Sequence, residues 1–201
     1  FFDNLYRDRR DIHHDLNANL YAIVKLPFGF EYQMNFTPRY HWYEYMNHES
    51  AEHPEWAGDG GRSERKNEKT FNWQVDNILR WKKEFGEDHR VEATFLQNAE
   101  KGQWWKTVAQ NKLYSPSDIL GFHNIGAGTA PSVSSEDTYK TGDALMGRLF
   151  YSFKDKYMLT ASVRRDGYSA FGSMNPHAVF PAVALGWVFT SEKFMEKTSD
   201  W

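Results

Sequence analysis

The sequence predicts an all-β fold: about seven strands of an antiparallel transmembrane β-barrel. Three observations carry this prediction, namely the alternation of apolar and polar residues, the length of the alternating stretches, and connections that are alternately short and long. The composition agrees, because 17% of the 201 residues are aromatic although the mean hydropathy is −0.74. A membrane barrel places such rings in two belts at the membrane interfaces.

The clearest alternation runs over residues 28–42. Even positions from Phe28 to Trp42 are almost all aromatic or apolar, whereas odd positions such as Gln33 and Asn35 are mostly polar. Because successive side chains of a strand point to opposite faces, this strand has one apolar and one polar face. The same reasoning predicts six further strands, over residues 16–26, 71–85, 90–95, 145–153, 157–166 and 183–189.

Several of these strands have ten or more residues, whereas strands of globular proteins usually have about five or six. A tilted strand needs about nine to eleven residues to cross a membrane. Tight turns are expected at residues 26–29, 86–89 and 154–156, and long polar loops at 47–69, 98–141 and 167–177. Bacterial outer-membrane barrels have short periplasmic turns and long outer loops. We therefore expect the short turns in the periplasm, with residues 190–201 forming a longer turn there.

Seven strands do not close such a barrel, because its strand count is even and at least eight. An open sheet edge in lipid would leave unpaired backbone groups, each costing several kcal/mol. Residues 1–201 are therefore expected to form one partial barrel domain that pairs with strands outside this sequence. The alternatives are a soluble β-sandwich and an up-and-down barrel that binds a small ligand.

Composition also argues against several functions. The net charge of −3 and the scattered basic residues do not indicate a nucleic-acid partner. The sequence has no cysteine, so it has neither disulfides nor thiolate metal sites. Of the eight histidines, His13 and His14 are adjacent and point to opposite faces of a strand, and His48 and His53 fall in a polar loop. No metal site, cofactor or catalytic residue is predicted.

Two stretches near the end of the sequence carry a family pattern. They read GRLFYSFKDKYMLTASVRRDGYSAFG from Gly147 and FPAVALGWVFTSEKFM from Phe180. Their text and spacing resemble the SusC/RagA family of TonB-dependent transporters, and a looser likeness extends upstream to Phe71. Tyr168 departs from the pattern, because the family usually has Ser there.

The resemblance implies a plugged barrel of about 22 strands in the outer membrane of a Gram-negative, Bacteroidota-like cell. It implies import of oligosaccharides or peptides into the periplasm, energy from the TonB complex through the plug region, and a SusD-like surface lipoprotein as partner. Such a transporter binds and gates its cargo without making or breaking bonds, so the chain is not expected to be an enzyme. The alternative function is a passive porin or a structural, adhesin-like barrel.

Five residues are candidates for contact with cargo. Trp104 and Trp105 are expected in the longest outer loop, where their rings would stack on sugars or peptides or else pack the loop. Arg164 and Asp166 lie two residues apart on one face of a strand. They would form a lumenal ion pair that holds the following loop, or contact the plug or cargo, and Tyr168 follows them directly.

Other residues are expected to face lipid or to shape turns. Arg165 should point to the lipid side near the outer rim, where phosphates of lipopolysaccharide could lie. Trp73, Trp81 and Trp187 are expected at the membrane interfaces. Gly167 and Gly172 are expected to supply turn conformations with positive φ.

Overall fold

The computed structural model describes residues 3–171 and 176–195, which form one antiparallel sheet joined by short 3₁₀ helices and turns. Its strands are β1 (Arg7–Asn17), β2 (Leu20–Lys25), β3 (Phe30–Glu49), β4 (Arg62–Phe85), β5 (His89–Lys112), β6 (Ser132–Phe153), β7 (Tyr157–Tyr168) and β8 (His177–Trp187). The sheet order is β1-β3-β4-β5-β6-β7-β8, and β2 also pairs with β3. The all-β prediction is confirmed. No helix among these residues is long and apolar enough to cross a membrane.

Strands β1 and β2 occupy one position in the sheet. Asn17 pairs with Arg39 and Leu20 pairs with Phe36, so both strands keep a single register against β3. The interruption lies opposite Pro38, which has no N–H to donate to the ladder. The N–H of Ala18 still donates to the carbonyl of Pro38 at 3.1 Å. Eight strands therefore fill seven positions, in agreement with the predicted count.

The first predicted strand began too late. It was expected from residue 16, but β1 begins at Arg7 and the chain is already extended through residues 7–15. That stretch reads RDRRDIHHD and has no apolar alternation. This part of β1 forms because its backbone pairs with β3, and its sequence has no alternation from which a strand could be predicted.

Two of the predicted loops were too long for the same reason. The loop expected at residues 98–141 is strand over most of its length, and that expected at residues 47–69 is strand at both of its ends. The actual connections span residues 50–61 and 113–131. The sequence of residues 62–70 is polar at nearly every position, so it gave no period of two. Strands β4 and β5 have 24 residues each, more than twice what a membrane crossing needs.

The short turns fall where they were expected. The β2–β3 turn contains the 3₁₀ helix Pro27–Gly29, and the β4–β5 and β6–β7 turns occupy residues 86–88 and 154–156. The prediction for Gly167 was wrong, because this residue lies within β7 and is not among the residues with positive φ. Gly172 lies outside the described residues.

The described chain divides into two compact units, and strands β3 to β6 contribute to both. Unit 1 comprises residues within Phe1–Ala18, Pro38–Asn72 and Gly102–Tyr139. Unit 2 comprises residues within Asn19–Thr37, Trp73–Lys101 and Lys140–Trp201.

Unit 2 carries the predicted two-faced pattern. Leu149, Ala161 and Val183 lie side by side across β6, β7 and β8, and so do Tyr151, Leu159 and Leu185. The rows belong to a surface that we call the apolar face, which also includes Phe30, Leu79, Trp81 and Phe95 around a common cavity. The opposite, polar face carries Arg80, which donates to Gln33 at 2.7 Å, and Asp76, which accepts from Asn98 at 2.6 Å. The relative facing of these residues agrees with the prediction.

Candidate functional site

The polar side of unit 1 carries a connected set of aromatic and charged side chains. The hydroxyl of Tyr43 donates to Asp11 at 2.8 Å, and Arg9 donates to the same carboxylate at 2.9 Å. The ammonium group of Lys66 lies 4.8 Å from the ring centroid of Tyr43 and 5.3 Å from that of Tyr45. With the two residues described next, they form the polar-aromatic patch, defined as Arg9, Asp11, Tyr43, Tyr45, Lys66, Glu68 and Trp104.

Trp104 lies within β5, so its expected position in an outer loop was wrong. Its indole N–H points to a carboxylate oxygen of Glu68, with 3.4 Å between nitrogen and oxygen, and Glu68 also lies 3.6 Å from the ammonium of Lys66. The ring is only partly buried. The strand therefore holds Trp104 at the edge of the polar-aromatic patch, where one surface of the ring can meet a ligand.

Trp105 is also a strand residue, and it is separated from Trp104 by the alternation of β5. It lines a cavity of about 910 Å³ together with Tyr40 and Trp42 of β3. Tyr40 is also 5.8 Å from Phe71 between ring centroids. The two tryptophans thus lie on opposite faces of the sheet. Trp105 belongs to an aromatic cluster of the kind that barrels place at membrane interfaces.

Arg164 and Asp166 form the expected ion pair within unit 2. The Nε of Arg164 lies 2.8 Å and 3.0 Å from the two carboxylate oxygens of Asp166. Both residues lie inside β7, not at its end, because the strand continues to Tyr168. Their cross-strand neighbours on β8 are Phe180 and Ala178, so no second charge competes for the pair from that strand.

Tyr168 is the last residue of β7 and begins the connection to β8. Its backbone N–H donates to the carbonyl of Pro176 at 3.0 Å, and its ring lies 5.5 Å from that of Phe171 in an edge-to-face arrangement. Its ring is only partly buried. These contacts brace the connection and leave part of the ring accessible.

Sequence reasoning missed a cluster of Ser63, His48 and Asp118 in unit 1. The Nδ1 of His48 lies 2.9 Å from the hydroxyl of Ser63, and its Nε2 lies 3.5 Å from Asp118. The residue types match a hydrolytic triad, but Ser63 is completely buried and has no path to a substrate. Asp118 also accepts from the N–H of Ala51 at 2.8 Å. The cluster therefore fastens the connection of residues 113–131 to that of residues 50–61.

Two other histidines of unit 1, His13 and His41, contact neighbouring side chains in the sheet. His13 stacks on Tyr43 with 4.6 Å between ring centroids, and His41 lies 2.7 Å from Asp15. In the part of the chain that the structure describes, no group of three or more His, Cys, Asp or Glu side chains is arranged to hold a metal ion.

A sheet with one exposed apolar face, short turns at one end and strands of up to 24 residues defines a segment of an outer-membrane β-barrel. The model of the family described as "TonB dependent receptor-like, beta-barrel" matches residues 1–193, and the chain belongs to this family. The family comprises outer-membrane receptors and transporters of Gram-negative bacteria, not enzymes. The resemblance noted in the sequence is thereby confirmed.

Relatives with similar sequences are also named TonB-dependent receptors. TonB-dependent receptor P26 of Formosa agariphila is 29% identical over 144 residues, which cover 70% of this chain and 14% of that protein. TonB-dependent receptor P39 of the same organism is 32% identical over 128 residues, or 63% of this chain and 12% of that protein. TonB-dependent receptor SusC of Bacteroides thetaiotaomicron is 31% identical over 100 residues, or 48% of this chain and 8% of that protein. The chain thus spans a small part of the length of each relative.

Solved structures show the same fold. The structure of the RagAB peptide transporter superposes with a TM-score of 0.87 at 18% identity, covering 96% of this chain and 22% of the matched chain. At this identity the likeness is one of fold.

Proposed function

We propose that the receptor containing this segment imports oligosaccharides or peptides into the periplasm. The barrel would have about 22 strands closed by a plug, would draw energy from the TonB complex through that plug, and would work with a SusD-like surface lipoprotein in a Bacteroidota-like cell. The observation that carries the proposal is the family match over residues 1–193, together with the likeness to SusC. The fold likeness to the RagAB peptide transporter supports it.

The polar-aromatic patch suits either class of cargo. Aromatic rings offer flat apolar surfaces to sugar rings and peptide side chains, and the paired charges offer hydrogen bonds to hydroxyl and amide groups. Trp104 is the proposed cargo contact in this patch. In unit 2, we propose the same role, or contact with the plug, for Arg164, Asp166 and Tyr168.

Dependence of cargo uptake on TonB distinguishes an energy-coupled importer from a passive porin. Cells that express the full-length receptor should accumulate labelled oligosaccharide or peptide when TonB is present and lose most uptake when TonB is deleted. A passive porin would admit the cargo equally in both strains. An adhesin-like barrel would admit it in neither. Either result would reject the proposal.

Replacing Trp104 with Ala should weaken cargo binding to the purified full-length receptor about fivefold, because one stacking surface is worth about 1 kcal/mol. The matched control is Trp105→Ala, which removes the same ring from the opposite face and should leave cargo affinity unchanged. Titration calorimetry with the imported cargo measures both. Equal losses in the two variants would show that Trp104 does not contact cargo.

A further inference from the structure

We propose that the apolar face of β6, β7 and β8 holds one lipid A molecule, with a phosphate at Arg165 and an acyl chain over Gly147. This site lies on the face of β7 opposite to Arg164, Asp166 and Tyr168. The proposal depends on the orientation expected from the sequence, with the short turns in the periplasm, and it is independent of which cargo is imported.

The register of the three strands divides this face into rows of side chains. Each row contains one residue from β6, one from β7 and one from β8, and successive rows are two residues apart. From the turn end, the rows are Phe153–Tyr157–Trp187, Tyr151–Leu159–Leu185, Leu149–Ala161–Val183, Gly147–Val163–Pro181, Leu145–Arg165–Val179 and Asp143–Gly167–His177.

The position of Arg165 along these rows places it at a membrane boundary. Eight residues separate it from Tyr157, so the two lie about 26 Å apart along the strand. A strand tilt of about 40° converts this to about 20 Å of depth, close to the height of about 25 Å of a barrel's apolar band. Because the aromatic row with Tyr157 marks one boundary, Arg165 lies near the other.

Arg165 is a cation in an apolar row. Its neighbours across the ladder are Leu145 and Val179, and it makes no ion pair within residues 3–171 and 176–195. A basic side chain at the rim of the apolar band gains from an anionic lipid headgroup. The charge thus favours a phosphate-bearing lipid over a neutral one.

The next row adds a second polar group at the same rim. The Nε2 of His177 lies 3.7 Å from Asp143, and the two side chains meet over Gly167. A Cβ at Gly167 would collide with both, so only glycine leaves room for this contact. His177 is therefore held one row from Arg165, on the same face, where it can donate to the headgroup.

Below Arg165 the surface is hollow. A Cβ placed on Gly147 would have no heavy atom within 4 Å, and its neighbour on β7 is Val163. Small side chains of Ala93 and Ala161 continue this depression, and Trp81 is among the larger residues around it. The cavity has a volume of about 540 Å³. An apolar hollow that begins next to a free cation fits a phosphorylated, acylated lipid, and the outer leaflet supplies lipid A in that form.

The test is lipid binding to the delipidated full-length receptor in detergent, measured by native mass spectrometry. Lipid A, dioleoyl phosphatidylglycerol and dioleoyl phosphatidylcholine are titrated separately. We expect one tightly retained lipid A, weaker phosphatidylglycerol binding and no retained phosphatidylcholine. Arg165→Gln should weaken lipid A binding about fivefold, and Arg165→Lys should restore most of it.

The matched control is Arg80→Gln, which removes an arginine from the polar face of β4, does not line the hollow and should leave lipid A affinity unchanged. Gly147→Leu should fill the hollow and weaken binding without removing charge. Heat-modifiable migration of each variant checks that it has folded.

Equal lipid A affinity in the Arg165→Gln and Arg80→Gln variants would overturn the site. So would Arg165-dependent binding of phosphatidylglycerol as tight as that of lipid A, because it would show that the site does not select lipid A among anionic lipids. Cargo uptake that persists without TonB would contradict only the proposed transport function, so the two failures are distinguishable.

Discussion

The two units of this chain share strands β3 to β6 but bury different kinds of side chain. In unit 2, large apolar side chains remain exposed along one face, as with Leu185 at 83% and Val183 at 73%. In unit 1, the most buried side chains are mainly polar, and they include Asn47, Glu49, Ser63 and Asn111. Phe122, in the 3₁₀ helix of the connection, is the large apolar side chain buried there.

This difference follows from what surrounds each part of a barrel strand. A segment in lipid gains by exposing apolar side chains, and its ladder satisfies its backbone. A segment in water must pair its polar groups with one another wherever they become buried. Glu49, for example, accepts from Arg7 and lies 3.7 Å from Arg62. The units therefore depend on different interactions, and substitutions should affect them differently.

The largest expected effect comes from a charge on the apolar face of unit 2. Ala161→Arg should destabilise the full-length receptor by about 2–4 kcal/mol, because residue 161 lies midway between Tyr157 and Arg165, in the middle of the apolar band. Reversible unfolding from liposomes, followed by tryptophan fluorescence, measures the change. Thr160→Arg is the control, since its side chain lies on the polar face and should be tolerated. If Thr160→Arg cost as much as Ala161→Arg, the assignment of faces would be wrong.

The sequence predicted unit 2 better than unit 1, and the reason is physical. A strand between lipid and a polar lumen must alternate, so the sequence of residues 28–37 and 157–166 in unit 2 reveals both their conformation and the face that each side chain takes. Residues 62–70 are polar on both sides and are held by pairing with distant strands, which no local pattern reveals. Trp104 and Trp105 were assigned to a loop for this reason. The hydrogen bond between Ala51 and Asp118 joins residues 67 positions apart and was equally invisible.

A smaller, local effect is expected from a buried polar side chain in unit 1. Asn111 is 2% exposed, and its amide donates to the carbonyls of Ile125 and Gly128 at 2.8 Å and 2.9 Å. Its oxygen accepts from the N–H of Ala130 at 2.9 Å. Asn111→Ala would leave these groups unpaired and should weaken the connection of residues 113–131 by about 1–3 kcal/mol.

Hydrogen exchange of the full-length receptor measures this change directly. Amides within residues 113–131 should exchange faster in Asn111→Ala, whereas amides of β7 should not change. Gln110→Ala is the control, because Gln110 contacts Glu64 on the neighbouring strand and makes no hydrogen bond to the connection within the described residues. Faster exchange throughout the barrel would show that the two units do not respond separately.

The smallest expected effect is a pH dependence at the turn end of unit 2. Beyond β8, Glu192 accepts from the hydroxyl of Tyr157 at 2.6 Å and from the indole of Trp187 at 3.3 Å, and it lies 3.6 Å from Lys156. These hydrogen bonds hold the pKa of Glu192 below its ordinary value of 4.5. The hydrogen bond from Tyr157 has the largest effect. The folded state therefore favours the ionised carboxylate.

The direction in which stability changes with pH follows from this lowered pKa. The stabilisation is fully present above the ordinary pKa and is lost as the pH falls through the lower pKa of the folded protein. The difference in unfolding free energy between the natural receptor and Glu192→Gln should thus be constant near neutral pH and shrink below about pH 4.5. Denaturant unfolding at several pH values measures it. A difference that stayed constant down to pH 2 would show that the Glu192 carboxylate does not anchor this turn to the end of β7.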